Sequence, residues 1–405
     1  MPHNGYRLFN SSRLSGLVNF KLLSIKFNKF YTGLGMYGSI MGIRGGFFTL
    51  GVNTGFQTYL SKNLFINSGI HFGAGGGAGT PDGGGAFILP RINFGLQFKN
   101  FSLSSGYSYI NFFDNGDIKN HQINLEIQIP FDFSSSSFKN AEKEFFFSDL
   151  KKSKWNKKYR KMSFMFHLNN LSVIDNSNYR GKIINLAGFE INSYINSNWF
   201  YFAKFDGAYN GIKSGYMNII LGAGHQFFLN QNKSSIITKF GMGSGGGGGV
   251  ESEGGLLIFP DVSFDQRISN NIYVSINKGF LMSPNSFFKT STLGIGLKYY
   301  SNINELGKKE VDRKVIFKGV EFIIKQDSYL NAKRIINDIE NLHQISLQLN
   351  YHLNKNMYVA GQTSFANFGN AGAYAEGIIG MGLLLSLIHI SEPKRRITIA
   401  DDVIG

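Results

Sequence analysis

Cysteine is absent from all 405 residues, which excludes disulfide stapling, thiolate metal sites and thiol redox chemistry. Charged side chains make up only 17% of the chain, against about 25% in average soluble domains. No run of about 18 apolar residues occurs, so a transmembrane helix is excluded. The stretch Met1 to Gly16 is polar and lacks the apolar core of a secretory signal. That leaves a cytoplasmic protein or a missing N-terminus, and the repeat described below favours the second. Catalytic signatures are missing as well: there is no GxSxG elbow and no HExxH pair. What remains is a chain 42% hydrophobic and 15% aromatic, with 50 glycines and a net charge of +15. It has enough apolar surface to fold.

Internal similarity organises the rest. The segment from Gly46 reads GFFTLGVNTGFQTYLSKNLFINSGIHFGAGGGAGTPDGGGAFILPRINFGLQF, and the segment from Gly215 reads GYMNIILGAGHQFFLNQNKSSIITKFGMGSGGGGGVESEGGLLIFPDVSF. Phe72-Gly73 aligns with Phe240-Gly241, Pro90 with Pro260, and the glycine runs coincide. Upstream, Asn28-Lys-Phe-Tyr parallels Asn198-Trp-Phe-Tyr and Asn356-Met-Tyr. The expected organisation is an end fragment at 1–16, unit 1 at 17–134, a basic linker at 135–161, unit 2 at 162–300, a linker at 301–314 and a truncated unit 3 at 315–385. The stretch Leu385-Ser-Leu-Ile-His-Ile-Ser-Glu-Pro-Lys-Arg-Arg396 resembles a translated sequencing-adapter tail, so 386–405 is set aside as artefactual.

Within each unit the period is two. Phe101, Leu103, Ser105, Tyr107 and Tyr109 share one face, and Ile123, Leu125 and Ile127 alternate with Asn124, Glu126 and Gln128. Such alternation predicts strands with one apolar and one polar face. Unit 2 offers eight, at 163–175, 182–195, 198–208, 215–228, 234–243, 254–267, 272–281 and 290–300. Only Tyr329 to Leu342, with Ile335, Ile336 and Ile339, is spaced like a helix. Short turns (Asn196 to Asn198, Asn230 to Lys233, Ser269 to Asn271) alternate with longer connections (Asp175 to Lys182, the glycine run, Ser283 to Lys289). Short turns therefore gather on one side of the sheet and long loops on the other.

That asymmetry, with ten-residue strands and a heavy aromatic load, resembles the Gram-negative outer-membrane β-barrel proteins. The resemblance is architectural and covers residues 17 to 385. It implies an all-β, antiparallel up-and-down transmembrane β-barrel built from duplicated units of about eight strands, located in the cell outer membrane. Outer-membrane lipid and lipopolysaccharide are the expected partners, with no nucleic acid, no cofactor and no bound metal. Gly, Ser, Asn and Gln are expected to face the interior, and aliphatics and aromatics the lipid. The expected role is a surface scaffold or a passive pore for small solutes, without catalysis. The alternatives are a membrane-embedded lipid-modifying enzyme and a soluble all-β binding protein.

Few residues stand out as site candidates. Gly33-Leu-Gly35-Met-Tyr-Gly38 and Gly241-Met-Gly243-Ser-Gly-Gly246 satisfy GxGxxG, but strand patterns flank both, where a dinucleotide site needs a helix. The recurring glycine clusters read as loops at a crowded rim. Their candidates are Gly75, Gly76, Gly77 and Asp82 in one copy, and Gly245, Gly246, Glu251 and Glu253 in the other. The acids do not match the spacing of an ordered calcium loop. Lys139, Lys143, Lys151, Lys152, Lys154, Lys157, Lys158, Arg160 and Lys161 make the linker basic, which reads as a solvated connector. His225 is the one rim histidine with a conceivable catalytic place.

Overall fold

A computed structural model of the chain describes residues 17–128, 143–146, 161–301, 314–316 and 319–384, apart from 28, 42–44, 78–81, 100, 114, 176–179, 212–214, 249, 251, 270, 285, 333–339 and 370–373. Strict alternation along the chain produces strands joined in sequence order. The first seven are β1 (Leu17–Phe27), β2 (Phe30–Ser39), β3 (Phe48–Tyr59), β4 (Leu64–Gly76), β5 (Ala86–Gln97), β6 (Ser102–Phe112) and β7 (Lys119–Gln128). They form one meandering sheet in that order. A short strand β8 (Glu144–Phe146) follows.

The next eight strands are β9 (Met162–Val173), β10 (Ile183–Tyr194), β11 (Trp199–Gly211), β12 (Met217–Leu229), β13 (Ser234–Gly246), β14 (Leu256–Arg267), β15 (Ile272–Met282) and β16 (Lys289–Ser301). They close into a barrel. The closing ladder joins β16 to β9 from Thr290↔Val173 to Ser301↔Met162. After β17 (Lys314–Ile316) comes a four-stranded sheet of β18 (Val320–Ala332), β19 (Glu340–His352), β20 (Met357–Phe368) and β21 (Ala375–Leu383). All pairings are antiparallel, so the all-β, up-and-down architecture expected from the alternation is the one observed.

Local chemistry explains the tight turns. Asn196 Oδ1 accepts the N–H groups of Asn198 (2.9 Å) and Trp199 (2.7 Å), and Asn354 Oδ1 accepts those of Asn356 (2.9 Å) and Met357 (2.9 Å). An asparagine carboxamide here takes the place of a backbone carbonyl and turns the chain within a few residues. Between β12 and β13, Asn230 and Gln231 take positive φ values of 48° and 55°.

Four expectations need correction. The glycine runs are not loops throughout: Gly75 and Gly76 end β4, and Gly245 and Gly246 end β13. Their backbones pair with β3 and β12 through Phe48↔Gly76 and Met217↔Gly246, and that ladder keeps them extended. The helix proposed over Tyr329 to Leu342 is not formed at its ends, because Tyr329 of β18 pairs with Leu342 of β19. Its centre, 333–339, lies outside the described residues. The basic linker is not a mere connector, since its β8 pairs with β17, at the start of the third unit, through Phe145↔Val315. The fourth correction, the composition of the barrel interior, is a matter of site chemistry.

Candidate functional site

Polarity across the barrel wall is inverted relative to a soluble protein. Along β16, Leu293, Ile295, Leu297 and Tyr299 are 52, 53, 52 and 46% exposed, while Thr292, Lys298 and Tyr300 are each 1% exposed. On β9, Phe164, Phe166 and Leu168 face out, and Ser163, His167 and Asn169 are buried. The apolar face is thus the outer one.

Inward-facing residues are not confined to small polar types, as the sequence had suggested. Large rings and ions share the interior. Lys239 on β13 reaches Glu190 Oε2 of β10 at 2.8 Å and Asp261 Oδ2 of β14 at 3.1 Å. Lys298 on β16 bonds Asp265 Oδ2 of β14 at 2.6 Å. On β11, Asp206 pairs with Lys204 and with His167 Nε2 of β9, the latter at 2.6 Å. Asn277 Nδ2 donates to Asp261 Oδ1 at 2.8 Å. Each of these charges is almost wholly shielded from solvent. Ions in that position persist only when paired, because desolvation of a single one costs several kcal/mol. The sequence carried a faint signal for them: each interrupts its strand in the inward phase. Which cation meets which carboxylate across the barrel is not written in local pattern.

Aromatic and aliphatic side chains close both ends of this network. Phe200, Phe202, Phe259, Tyr216 and Leu257 lie in one apolar cluster with Tyr194 and Tyr300. At the short-turn end, Gln226 joins Tyr194 Oη (2.7 Å), Tyr300 Oη (3.1 Å) and Ser235 Oγ (2.8 Å). Lys161, just before β9, adds a bond to Gln226 Oε1 (3.3 Å) and sits 4.0 Å from the Tyr194 ring centre. Burial, and then the charge of Lys298, lower the Lys161 pKa to about 8. An eight-stranded barrel has an interior just wide enough for side chains to fill it, and here they do.

The first sheet carries a second buried polar group that no linear motif announced. Arg91 donates to Tyr31 Oη (3.0 Å) and Asn53 Oδ1 (3.3 Å), His71 Nδ1 meets Asn53 Oδ1 (3.1 Å), and Tyr31 donates to Asn67 Oδ1 (2.8 Å). These bonds tie β2, β3, β4 and β5 together. They bring together no nucleophile and acid that would make a hydrolytic triad.

The sequence-derived candidates separate into different settings. Asp82 is buried, and its Oδ2 accepts the Gly77 N–H at 3.0 Å, so it braces its own hairpin. Glu253 is exposed at a φ of 46°, and its carbonyl accepts the Gly45 N–H at 2.5 Å. Glu251 lies outside the described residues. Among the described residues no three His, Asp or Glu side chains gather as metal ligands. His225 faces outward from β12, with ring centres 4.7 Å from Trp199 and 4.3 Å from Phe227. Its Nδ1 has no hydrogen-bond partner among the described residues. Its ring thus packs between two aromatic side chains near the short-turn end of β12.

No family model matches the chain, and no curated protein matches it. Among solved structures, it is similar to the Yersinia pestis outer membrane protein Ail, at 17% identity over 35% of this chain and 100% of that one, with a TM-score of 0.25. It is also similar to the NanC porin, at 8% identity over 70% of this chain and 92% of that one, with a TM-score of 0.19. A designed transmembrane β-barrel matches at 10% identity over 34% of this chain and 95% of its own, with a TM-score of 0.25. Likenesses this low leave location and activity to the residues themselves.

Two outcomes follow from the buried ions. Lys239→Met leaves Glu190 and Asp261 without their shared cation and lowers the stability of the barrel by about 3–5 kcal/mol, read from urea unfolding of the detergent-folded protein. Lys161 acts through pH. Below about 8 both folded and unfolded states carry its proton, and the cost of burying the charge is fully present. As pH rises from about 8 towards 10.5, the folded state loses the proton first and that cost is relieved. Stability measured against pH should therefore rise through this window in the unsubstituted protein relative to Lys161→Met.

Proposed function

We propose that this chain is an outer-membrane β-barrel protein that serves as a membrane-embedded scaffold. The observation that carries this reading is the inverted wall of β9–β16: an apolar outer face around a packed, ion-paired interior. A continuous apolar band is what a lipid-facing barrel presents. Closure supports the reading too, because lipid offers no partner for an unpaired backbone edge. A soluble binding protein would place its apolar face inward, opposite to the arrangement here.

Scaffold is favoured over passive pore because a water-filled channel leaves inward side chains wet, whereas Lys298 and Glu190 are 1% and 0% exposed. Outer-membrane lipid is the partner of the outer face in this reading, and lipopolysaccharide that of the long-loop end. The lipid-modifying alternative rested on His225, whose outward ring packs between Trp199 and Phe227 and whose Nδ1 has no hydrogen-bond partner among the described residues. The repeat of units along the chain belongs to the same proposal: several barrels in tandem rather than one wide one.

The full-length chain, refolded in detergent, should migrate faster on a denaturing gel unboiled than boiled, and should give no steady conductance in a planar bilayer. A stable conductance would overturn the scaffold reading and leave the barrel standing. Loss of the cold shift would overturn the barrel itself. Leu297→Arg separates lipid from water on the outer face: at a lipid-facing mid-strand site it costs about 2–4 kcal/mol, whereas an exposed site in water tolerates it within about 0.5 kcal/mol.

A further inference from the structure

The glycine hairpins and the strand ends that cover them repeat one contact. Between β4 and β5, the Gly75 N–H donates to Gly85 O (2.9 Å) and the Gly85 N–H to Asp82 O (2.9 Å). Between β13 and β14, the Gly245 N–H donates to Gly255 O (2.9 Å) and the Gly255 N–H to Ser252 O (2.8 Å). Gly85 and Gly255 thus hold the same place, at positive φ values of 96° and 91°. Strand pairing aligns the other partners one residue away from the sequence match of Asn28 with Asn198, since Lys29 O, Asn198 O and Asn356 O accept the equivalent N–H groups of Gln57, Gln226 and Leu384. Phe30 faces Phe56, Trp199 faces His225, and Met357 faces Leu383, each at the start of its strand. Counted onward from those pairs, Ser39, Ala208 and Ala366 share one position, and Gly38 and Gly207 share the one before it.

A Cβ at Gly255 would strike the carbonyl oxygen of Ser39, and a Cβ at Gly85 would strike that of Ala366. The corner of the first sheet therefore sits on the glycine of the barrel, and the corner of the last sheet sits on the glycine of the first. Two contacts, formed by different stretches of chain, use the same two positions. The first is reinforced by Ser244 Oγ donating to Ser39 O (2.5 Å) and Ser39 Oγ donating to Gly254 O (3.0 Å). These neighbours also explain why the last four residues of β4 and β13 are buried on both faces, where a lone sheet would keep one face open. Gly207 provides an internal control. Its counterpart Gly38 has Ser244 Oγ within 2.8 Å of a built Cβ, whereas Gly207 has nothing within 4 Å among the described residues.

All three units also meet in one apolar cluster. Met36, Phe48 and Leu50 of the first sheet lie there with their counterparts in the barrel, Phe205, Met217 and Ile219, and with Phe365 of the last sheet. A head-to-tail contact whose equivalent residues converge on a common centre closes by rotation, where an open row would carry them apart.

We propose that the glycine hairpins are barrel-docking elements, each seating the β2-type strand corner of a neighbouring unit of this chain, in a head-to-tail arrangement with approximate threefold symmetry. The inference rests on the repeat and on the membrane-barrel reading. Lipid-facing surfaces gain no hydrophobic drive by meeting each other, so association relies on close backbone approach and hydrogen bonds, for which glycine and serine are suited. The loops then recognise another unit rather than a metal or a solute.

Because the chain has no cysteine, a disulfide can report the contact. An ideal Cβ at Gly38 lies 2.9 Å from Ser244 Cβ, so Gly38→Cys with Ser244→Cys needs the strands to part by about 1 Å to reach disulfide geometry. The full-length double variant is refolded, oxidised and cut with trypsin in the lysine-rich stretch 151–161, then boiled and run without reductant. Docked units remain joined as one band, and each single variant yields separate fragments. Separate fragments from a double variant that keeps its unboiled mobility would overturn the docking and leave the barrel reading intact. As a check independent of substitution, the unsubstituted protein cut the same way should elute as one particle in mild detergent. Elution as separate fragments would overturn the proposal whatever the double variant does.

Discussion

The ladder that returns β16 to β9 is the constraint on which the rest of the barrel depends. Once Thr290↔Val173 to Ser301↔Met162 is formed, none of the eight strands has a free edge, and every side chain on them has only two destinations, the interior or the outside. Eight strands fix a narrow interior. The inward phase must then carry side chains that fill it, and the outward phase is left to whatever solvent surrounds the wall. Leu293, Ile295, Leu297 and Tyr299 on that outward phase suit hydrocarbon, and nothing in the fold obliges them to be apolar otherwise.

Ion pairs in so dry an interior call for explanation, since well-packed apolar side chains of similar volume often stabilise as much or more. Register supplies one. A slip of one residue sends every inward side chain of a strand outward. If both phases were apolar, such a slip in β13 or β14 would meet little penalty in lipid. With Lys239 and Asp261 in the inward phase, the slipped pairing places charges against hydrocarbon and removes each from its partner. The network of Lys239, Glu190 and Asp261 thus acts on the competing arrangements as much as on the native one.

Much of this was legible in the sequence, and the reason is periodicity. Alternation depends on neighbours two residues apart, so the eight strands between 162 and 301 could be placed to within a few residues, and their connections sorted into short and long. The interior was not legible in the same way. Lys298 and Asp265 are far apart in the chain and become partners only when the sheet curls, and the bulky Phe202 and Phe259 face inward in positions that composition alone assigned to small polar residues. The segment from Tyr329 to Leu342 misled for the opposite reason: its apolar spacing was local, while the pairing of Tyr329 with Leu342 answers to the sheet. Glycines 75, 76, 245 and 246 read as loop because glycine seldom benefits an isolated strand; at Gly246 what makes it fit is the backbone of Gly45 and Gly46 arriving from the first sheet.

That last point bears on how the barrel and the flanking sheets of one chain can cohere in the membrane scaffold proposed above. In that reading each outer wall is already satisfied by lipid, so bringing two walls together gains nothing from the hydrophobic effect. Cohesion has to come from contacts that lipid tails cannot imitate, namely backbone carbonyls and hydroxyls brought within hydrogen-bond range. Side chains on both walls would keep backbones too far apart. Removing the Cβ at Gly255, opposite Ser39, and at Gly85, opposite Ala366, permits the approach. The hydroxyls of Ser39 and Ser244 then bond directly across the join. On this argument the glycine content at the long-loop end is not a sign of slack chain. It marks where one wall has been thinned to admit another.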